Sequence, residues 1–166
     1  MGHSLSAAVD SRIMTFNTLA LQTQDEAYTL AFYLLGDERH AEQATQAGFD
    51  QLQRHARLEL KHFRLEVLRR VMESCQRISR IMPRGAVLRS ALRKMADRDE
   101  TIQRLLTLNE SERFVVVLVD VLGLSYEEAA QVLDSSRKQV GKTLAQARLT
   151  LSQVEGSQQS APLALQ

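Results

Sequence analysis

The sequence predicts an all-α protein of two small helical domains, and three observations carry that prediction. Apolar residues recur at spacings of three and four along most of the chain, three helix-start signatures punctuate its second half, and breakers are few, with two prolines and seven glycines in 166 residues. Leu, Ala, Arg, Gln and Glu are abundant, and their unbranched side chains lose little rotamer freedom on a helix. A hydrophobic content of 44% argues for packed cores rather than a disordered chain.

Each element follows from its local pattern. Over residues 16–35, Phe16, Leu19, Ala20, Ala27, Leu30, Ala31, Leu34 and Leu35 make one apolar stripe, which Gly36 ends. Asp37 then caps a second helix whose inner face reads Ala41, Ala44, Gly48, Phe49 and Leu52, small enough at 44 and 48 for close packing. A third helix is expected from about 57 to 81. It places Leu58, Phe63, Leu65, Leu68, Val71, Met72, Cys75 and Ile78 on or near one side, with Lys61, Arg64, Arg69, Arg70, Arg77 and Arg80 on the other. Pro83-Arg84-Gly85 breaks this periodicity and marks a domain boundary. Residues 87–95 carry a weak apolar stripe, a partial helix within a basic linker.

Beyond the linker, Leu105, Leu106 and Leu108 resume the pattern, and Asn109 with Glu112 has the spacing of a capping box. Residues 114–119, Phe-Val-Val-Val-Leu-Val, favour a strand by propensity because β-branched side chains are stiff in helices. The preceding cap, the following Gly123 and the lack of a partner strand favour a buried helix, with a strand as the competing reading. Ser125 with Glu128 and Ser136 with Gln139 form two further boxes, opening a helix over 126–133 and another running to about Leu151. Past Ser152 the Gln- and Ser-rich tail is expected to be mobile. The domain division is therefore 10–82, a linker over 83–100, a second domain over 101–152 and a tail over 153–166.

Charge is unevenly spread. Residues 1–53 hold two basic and seven acidic residues, residues 54–104 fourteen against six, and residues 105–166 five against seven. The middle is a basic block, suited to phosphates if concentrated on one face and otherwise a solvated helix face with its linker. One cysteine excludes an internal disulfide, no Cys/His spacing fits a metal, and no glycine loop or nucleophile motif points to an enzyme, so neither cofactor nor small-molecule substrate is expected. Apolar runs are too short for a bilayer and the N-terminus lacks a secretory pattern, which fits the cytoplasm; Met1-Gly2 with Ser6 meets only a loose acylation pattern. His3, His40, His55 and His62 are scattered and read as surface or packing residues. Cys75 reads as a core or boundary residue, with an exposed redox thiol as the alternative.

The motif that carries chemistry is the pair of helices joined by Asp134-Ser135-Ser136. A turn this short forces a steep crossing, and Ala130 lets the second helix, held by Val140 and Leu144, pack closely: a helix-turn-helix. Arg137, Lys138, Gln139 and Lys142 fall in the first two turns of that second helix, the part that enters a major groove, where Arg or Lys pairs with guanine and Gln with adenine. Arg148 is placed for a phosphate. The competing reading is an ordinary helical hairpin with a basic start, although cations there oppose the helix dipole.

With these residues in view a family resemblance is specific. Leu108-Asn-Glu-Ser-Glu-Arg113, Gly123-Leu-Ser-Tyr-Glu-Glu-Ala-Ala-Gln-Val-Leu133, Val140 and Leu144-Ala-Gln-Ala-Arg148 resemble the upstream-promoter-binding domain of extracytoplasmic-function (ECF) sigma factors. Tyr28-Thr-Leu-Ala-Phe-Tyr-Leu-Leu-Gly-Asp37 and Ala41-Glu-Gln-Ala-Thr-Gln-Ala-Gly-Phe49 are similar to that family's polymerase-binding helices, and Phe63-Arg64 begins the counterpart of its promoter-melting helix. Together these stretches cover most of residues 16–152.

The resemblance implies a non-enzymatic adaptor whose partners are core RNA polymerase, promoter DNA and an anti-sigma factor, with no membrane. It implies polymerase contacts at Asp37, Glu42, Gln46 and Phe49, and DNA contacts on the basic side of the third helix at Arg64, Arg69, Arg70 and Arg77, besides those of the helix-turn-helix. The chain departs from the family pattern at Gln43 and Ala47, where acids are common, at Glu73-Ser74, where an Arg-Asn pair is typical, and in having no tryptophan. It also departs at Asp134, Gly141, Thr143 and Gln146 around the recognition helix. Two other classes compete: a sigma-like regulator that binds an anti-sigma or other protein without initiating, and a conventional helix-turn-helix repressor.

Overall fold

A computed structural model describes residues 3–54, 62–81 and 100–159, with side chains over 13–54, 62–81 and 100–153. The described residues are helical, without a strand, and the chain divides into two compact units, Met1–Ile81 and Met82–Gln166. The expected partial helix at 87–95 and the basic linker lie outside the described residues.

The first unit packs α1 (His3–Leu35), α2 (Glu38–Arg54) and α3 (Phe63–Ile81) against one another. Helix α1 begins well before Phe16, where the apolar stripe led us to expect it; residues 3–15 contain neither Gly nor Pro, so helix propagates through them at little cost per residue. Gly36 adopts φ 65°, the left-handed geometry that costs a glycine little, and its amide donates to the Phe32 carbonyl. Asp37 opens α2 by accepting from the His40 amide at 3.0 Å. The core joins Ala27, Leu30, Ala31 and Leu34 with Ala41, Ala44 and Leu52, and with Phe63, Val67, Leu68, Val71 and Cys75. Phe49, expected on the inner face, is only half-buried. Helix α3 is described from Phe63, after one tighter turn residue at His62; the expected start near 57 lies outside the described residues.

Two contacts set how closely these helices approach. A methyl group at Gly48 would stand 2.5 Å from Val71 Cγ2 and 3.0 Å from the Val71 backbone nitrogen, so α2 and α3 meet where no side chain intervenes. At the other end the Phe16 and Phe63 rings meet edge to face, with centroids 5.4 Å apart.

The second unit holds α4 (Glu100–Thr107), α5 (Glu110–Val116), α6 (Tyr126–Val132) and α7 (Arg137–Gln159). Helix α4 starts ahead of Leu105. At the α4–α5 corner, Arg113 donates from Nε to the Leu105 carbonyl and from Nη2 to the Leu108 carbonyl, both at 3.0 Å. It thereby supplements the Leu108 amide, which also donates to the Leu105 carbonyl at 3.2 Å, and gives the Leu108 carbonyl a partner at the end of α4. Burial pushes the Arg113 guanidinium below its ordinary value. Both groups of the Asn109–Glu112 capping box are in place.

Residues 114–119 are helical, and the strand reading is set aside. The helix does widen: Val117–Val121 form a π-helical turn, in which the Leu122 amide reaches back five residues to the Val117 carbonyl at 2.9 Å. Phe114 through Leu118 are buried, so tertiary packing overrides β-propensity here. Helix α7 continues past Ser152, where a mobile tail was expected, to Gln159.

Two outcomes test this packing. Replacing Gly48 with Ala forces the new methyl onto Val71 backbone and is expected to destabilise the first unit by roughly 1–3 kcal/mol, read as a lower urea midpoint. Cys75, 1% exposed, has its thiol pushed up to about 12 from 9.0 by burial. Its folded pKa is raised, so its contribution to stability is intact below pH 9 and is lost between there and about 12, as the unfolded chain alone ionises. At neutral pH a thiol reagent should therefore label Cys75 only after unfolding.

Candidate nucleic-acid interface

The helix-turn-helix is assembled from backbone geometry before any side chain faces solvent. Ser125 and Glu128 complete a capping box at the start of α6, with the Glu128 carboxylate accepting from the Ser125 amide at 2.8 Å. At its end Leu133 is followed by Asp134 at φ 49°; the Ser135 amide donates to the Ala130 carbonyl at 2.9 Å and the Asp134 amide to Gln131 at 3.5 Å. This is a Schellman ending with aspartate in the left-handed position that glycine fills at lower cost. The third capping box is only half formed. Ser136 accepts from the Gln139 amide at 3.1 Å, but the Gln139 side chain turns along the helix and donates to Thr143 Oγ1 at 3.2 Å.

Helix α7 buries Val140, Leu144 and Ala147 and exposes Arg137, Lys138, Gln139 and Lys142. Because α7 packs against α4, α5 and α6, the buried stripe sets its roll angle and turns the cationic side outward. Gly141 seats the Tyr126 ring: a methyl there would lie 3.4 Å from Tyr126 Cε2. Tyr126 is thus packing at the crossing, with an edge still exposed.

Arg148 is exposed but engaged. Its Nη2 donates to Asp120 Oδ1 at 2.6 Å and its Nε to Asp120 Oδ2 at 3.2 Å, and these bonds raise its already high pKa. Asp120 lies in the π-helical turn, 28 residues earlier, and no local spacing marks the pair in the sequence. Two of the five guanidinium N–H groups are used, leaving others for a phosphate.

In the first unit, the four arginines read as DNA contacts are drawn largely into internal pairing. Arg64 grips Glu26 of α1 through Nε and Nη2. Arg70 binds Glu66 at 2.9 Å, the favourable i,i+4 order, and Glu73 at 3.3 Å. Arg77 donates to the buried Ser74 hydroxyl at 2.9 Å, and Arg69 is half-buried. Glu26 was not found by sequence reasoning, since 38 residues separate it from Arg64.

The residues read as polymerase contacts line one side of α2. Glu42 and Gln46 are exposed, Phe49 is half-buried, and Asp37 stands at the cap paired to His40 at 2.7 Å. Gln46 donates to Asp50 at 2.8 Å. Tyr28 faces this acidic group from α1, and burial, followed by Glu38, Glu42 and Asp37, pushes its phenol upward. Among the described residues no cluster of His, Cys, Asp or Glu could hold a metal, and no helix is long and apolar enough to cross a membrane.

Comparison with known proteins converges on this geometry. Residues 98–151 match the family model described as sigma-70, region 4, a stretch that spans α4, α5, α6 and most of α7. The structure resembles CnrH, solved in complex with the cytosolic domain of CnrY. The TM-score is 0.71 at 22% identity, covering 86% of this chain and 88% of that one. It also resembles the sigma factor RpoE in complex with the anti-sigma factor NepR from Bartonella quintana, with a TM-score of 0.63, 16% identity and coverage of 85% and 96%. Residues 98–151 thus resemble a sigma-70 region 4, and the chain has the fold of CnrH and of the sigma factor RpoE. No curated protein matches the sequence. Within the matched stretch, Asp120 ties α7 to the π-helical turn that follows α5.

Two substitutions test the local geometry. Asp134→Gly relieves the left-handed strain, and Gly141→Ala adds helix propensity at ordinary contact distance from Tyr126. Each is expected to stabilise the second unit by about 0.5–1 kcal/mol, visible as a higher thermal midpoint.

Proposed function

We propose that this protein is a transcription initiation factor that binds core RNA polymerase through its first unit and promoter DNA through α7. The observation that carries the reading is the coincidence of the region 4 match with a helix-turn-helix whose basic residues are exposed at the start of its second helix. Arg137, Lys138 and Lys142 supply charge-assisted contacts to phosphates or to guanine edges, and Arg148 adds a phosphate contact from its unused N–H groups. On α2 the stripe Glu42, Gln46 and Phe49, with Asp37 at its head, presents acidic and aromatic groups to polymerase. The work is done in the cytoplasm, without catalysis.

An anti-sigma factor is proposed as a further partner, since RpoE was solved with the anti-sigma factor NepR and CnrH with the cytosolic domain of CnrY. One observation favours a second reading, a sigma-like regulator that binds such a partner without initiating: Arg64 and Arg70 of α3 are already held by carboxylates. Reconstituted transcription with the native core enzyme separates the two. Promoter-dependent RNA synthesis supports initiation, whereas partner binding without RNA supports the regulator. In promoter binding by the polymerase complex, replacing Arg137, Lys138 and Lys142 together by Ala should weaken affinity and flatten its salt dependence, by roughly 0.9 in log–log slope for each phosphate no longer neutralised.

A further inference from the structure

We infer that Gln139 is a base-reading residue of α7 and that Thr143 holds it in the geometry that selects adenine. The inference rests on the DNA-binding reading above and goes further by naming the base and the pair of residues that reads it.

Gln139 lies in the first turn of α7 with its side chain exposed, as are those of Arg137, Lys138 and Lys142, while Val140 and Leu144 are buried. A glutamine in this place has two local uses. In a capping box its amide folds back to the amide of the capping residue, as the Glu128 carboxylate does to Ser125 and the Glu112 carboxylate to Asn109. Gln139 departs from both of these neighbours: its Nε2 points down the helix and donates to Thr143 Oγ1 at 3.2 Å. The side chain is thereby drawn away from the backbone and braced from one turn below by a half-buried hydroxyl.

The donor count then narrows what the amide can bind. A glutamine amide has two N–H donors and one carbonyl acceptor. With one N–H given to Thr143, one donor and the carbonyl Oε1 remain side by side. Adenine presents in the major groove an acceptor, N7, next to a donor, the N6 amino group, and this is the complement. Guanine offers two acceptors, N7 and O6, and leaves Oε1 facing another oxygen; thymine offers one acceptor and a methyl group, and cytosine one donor. Bracing also lowers the rotamer entropy that an exposed glutamine would otherwise lose on binding. Thr143 does not itself touch the base in this account; it is a positioning residue.

The test is selection from a randomised duplex pool by the full chain with core RNA polymerase, followed by sequencing of what is bound. The wild-type motif should contain one adenine position whose preference falls about tenfold or more in Gln139→Ala, while other positions keep theirs. Gln139→Glu, which removes both donors and accepts only, should move that position toward cytosine. Thr143→Val should weaken the same adenine preference without changing the rest of the motif, and Thr143→Ser should restore it, a rescue that a purely structural role of the methyl group would not produce. Circular dichroism of each variant confirms that α7 is intact. A motif unchanged by Gln139→Ala, or a changed position that is not adenine, overturns the inference and leaves the promoter-binding reading standing. If the wild-type chain draws no motif from the pool, both fall together.

Discussion

The insertion of Val140, Leu144 and Ala147 from α7 among the helices that precede it is the constraint on which the rest of the second unit depends. These three positions lie on one stripe, and burying them fixes both the depth and the roll of α7. Everything functional on that helix is a consequence of which residues occupy the remaining arc. Arg137, Lys138, Gln139 and Lys142 are presented together because they are what the stripe excludes. Their position at a helix start is electrostatically unfavourable by several tenths of a kcal/mol per cation.

The supports around that stripe are of two kinds. Backbone devices set the turns: capping boxes at Asn109 and Ser125, the Schellman ending at Asp134, and the Arg113 guanidinium closing the carbonyls of α4. Side-chain ties then cross between elements. Asp120 reaches Arg148 from a π-helical turn that the ordinary helical repeat would not contain, and Tyr126 leans on Gly141. Departures from the family pattern at Asp134 and Gly141 thus have local accounts, the one as a tolerated left-handed residue and the other as a seat for an aromatic ring.

Charge in the first unit illustrates why composition alone is a weak guide to a surface. The basic block contains many arginines, yet Arg64 and Arg70 spend their donors on Glu26, Glu66 and Glu73 within the unit. The field that a nucleic acid would meet there is smaller than the residue count implies. On α2, by contrast, Glu42 and Gln46 keep their side chains outward, and the acidic group that faces Tyr28 is Asp37, Glu38 and Glu42 at the start of that helix.

Much was legible in the sequence because its causes are local. The apolar stripes, the glycine stop at 36, two of the three capping boxes and the helix-turn-helix all follow from spacings within about seven residues, which is the range over which a helix compares its own positions. The helical state of 114–119 was also readable, from the flanking cap and glycine rather than from the valines themselves. What only the tertiary structure decided depends on residues far apart in the chain: Glu26 on Arg64, Asp120 on Arg148, Val71 against Gly48, and the π-helical turn that burial of Phe114 to Leu118 accompanies. The turning of Gln139 to Thr143 rather than to Ser136 is local by contrast, four residues along one helix, but spacing alone left both partners open and the folded helix shows which one the side chain takes.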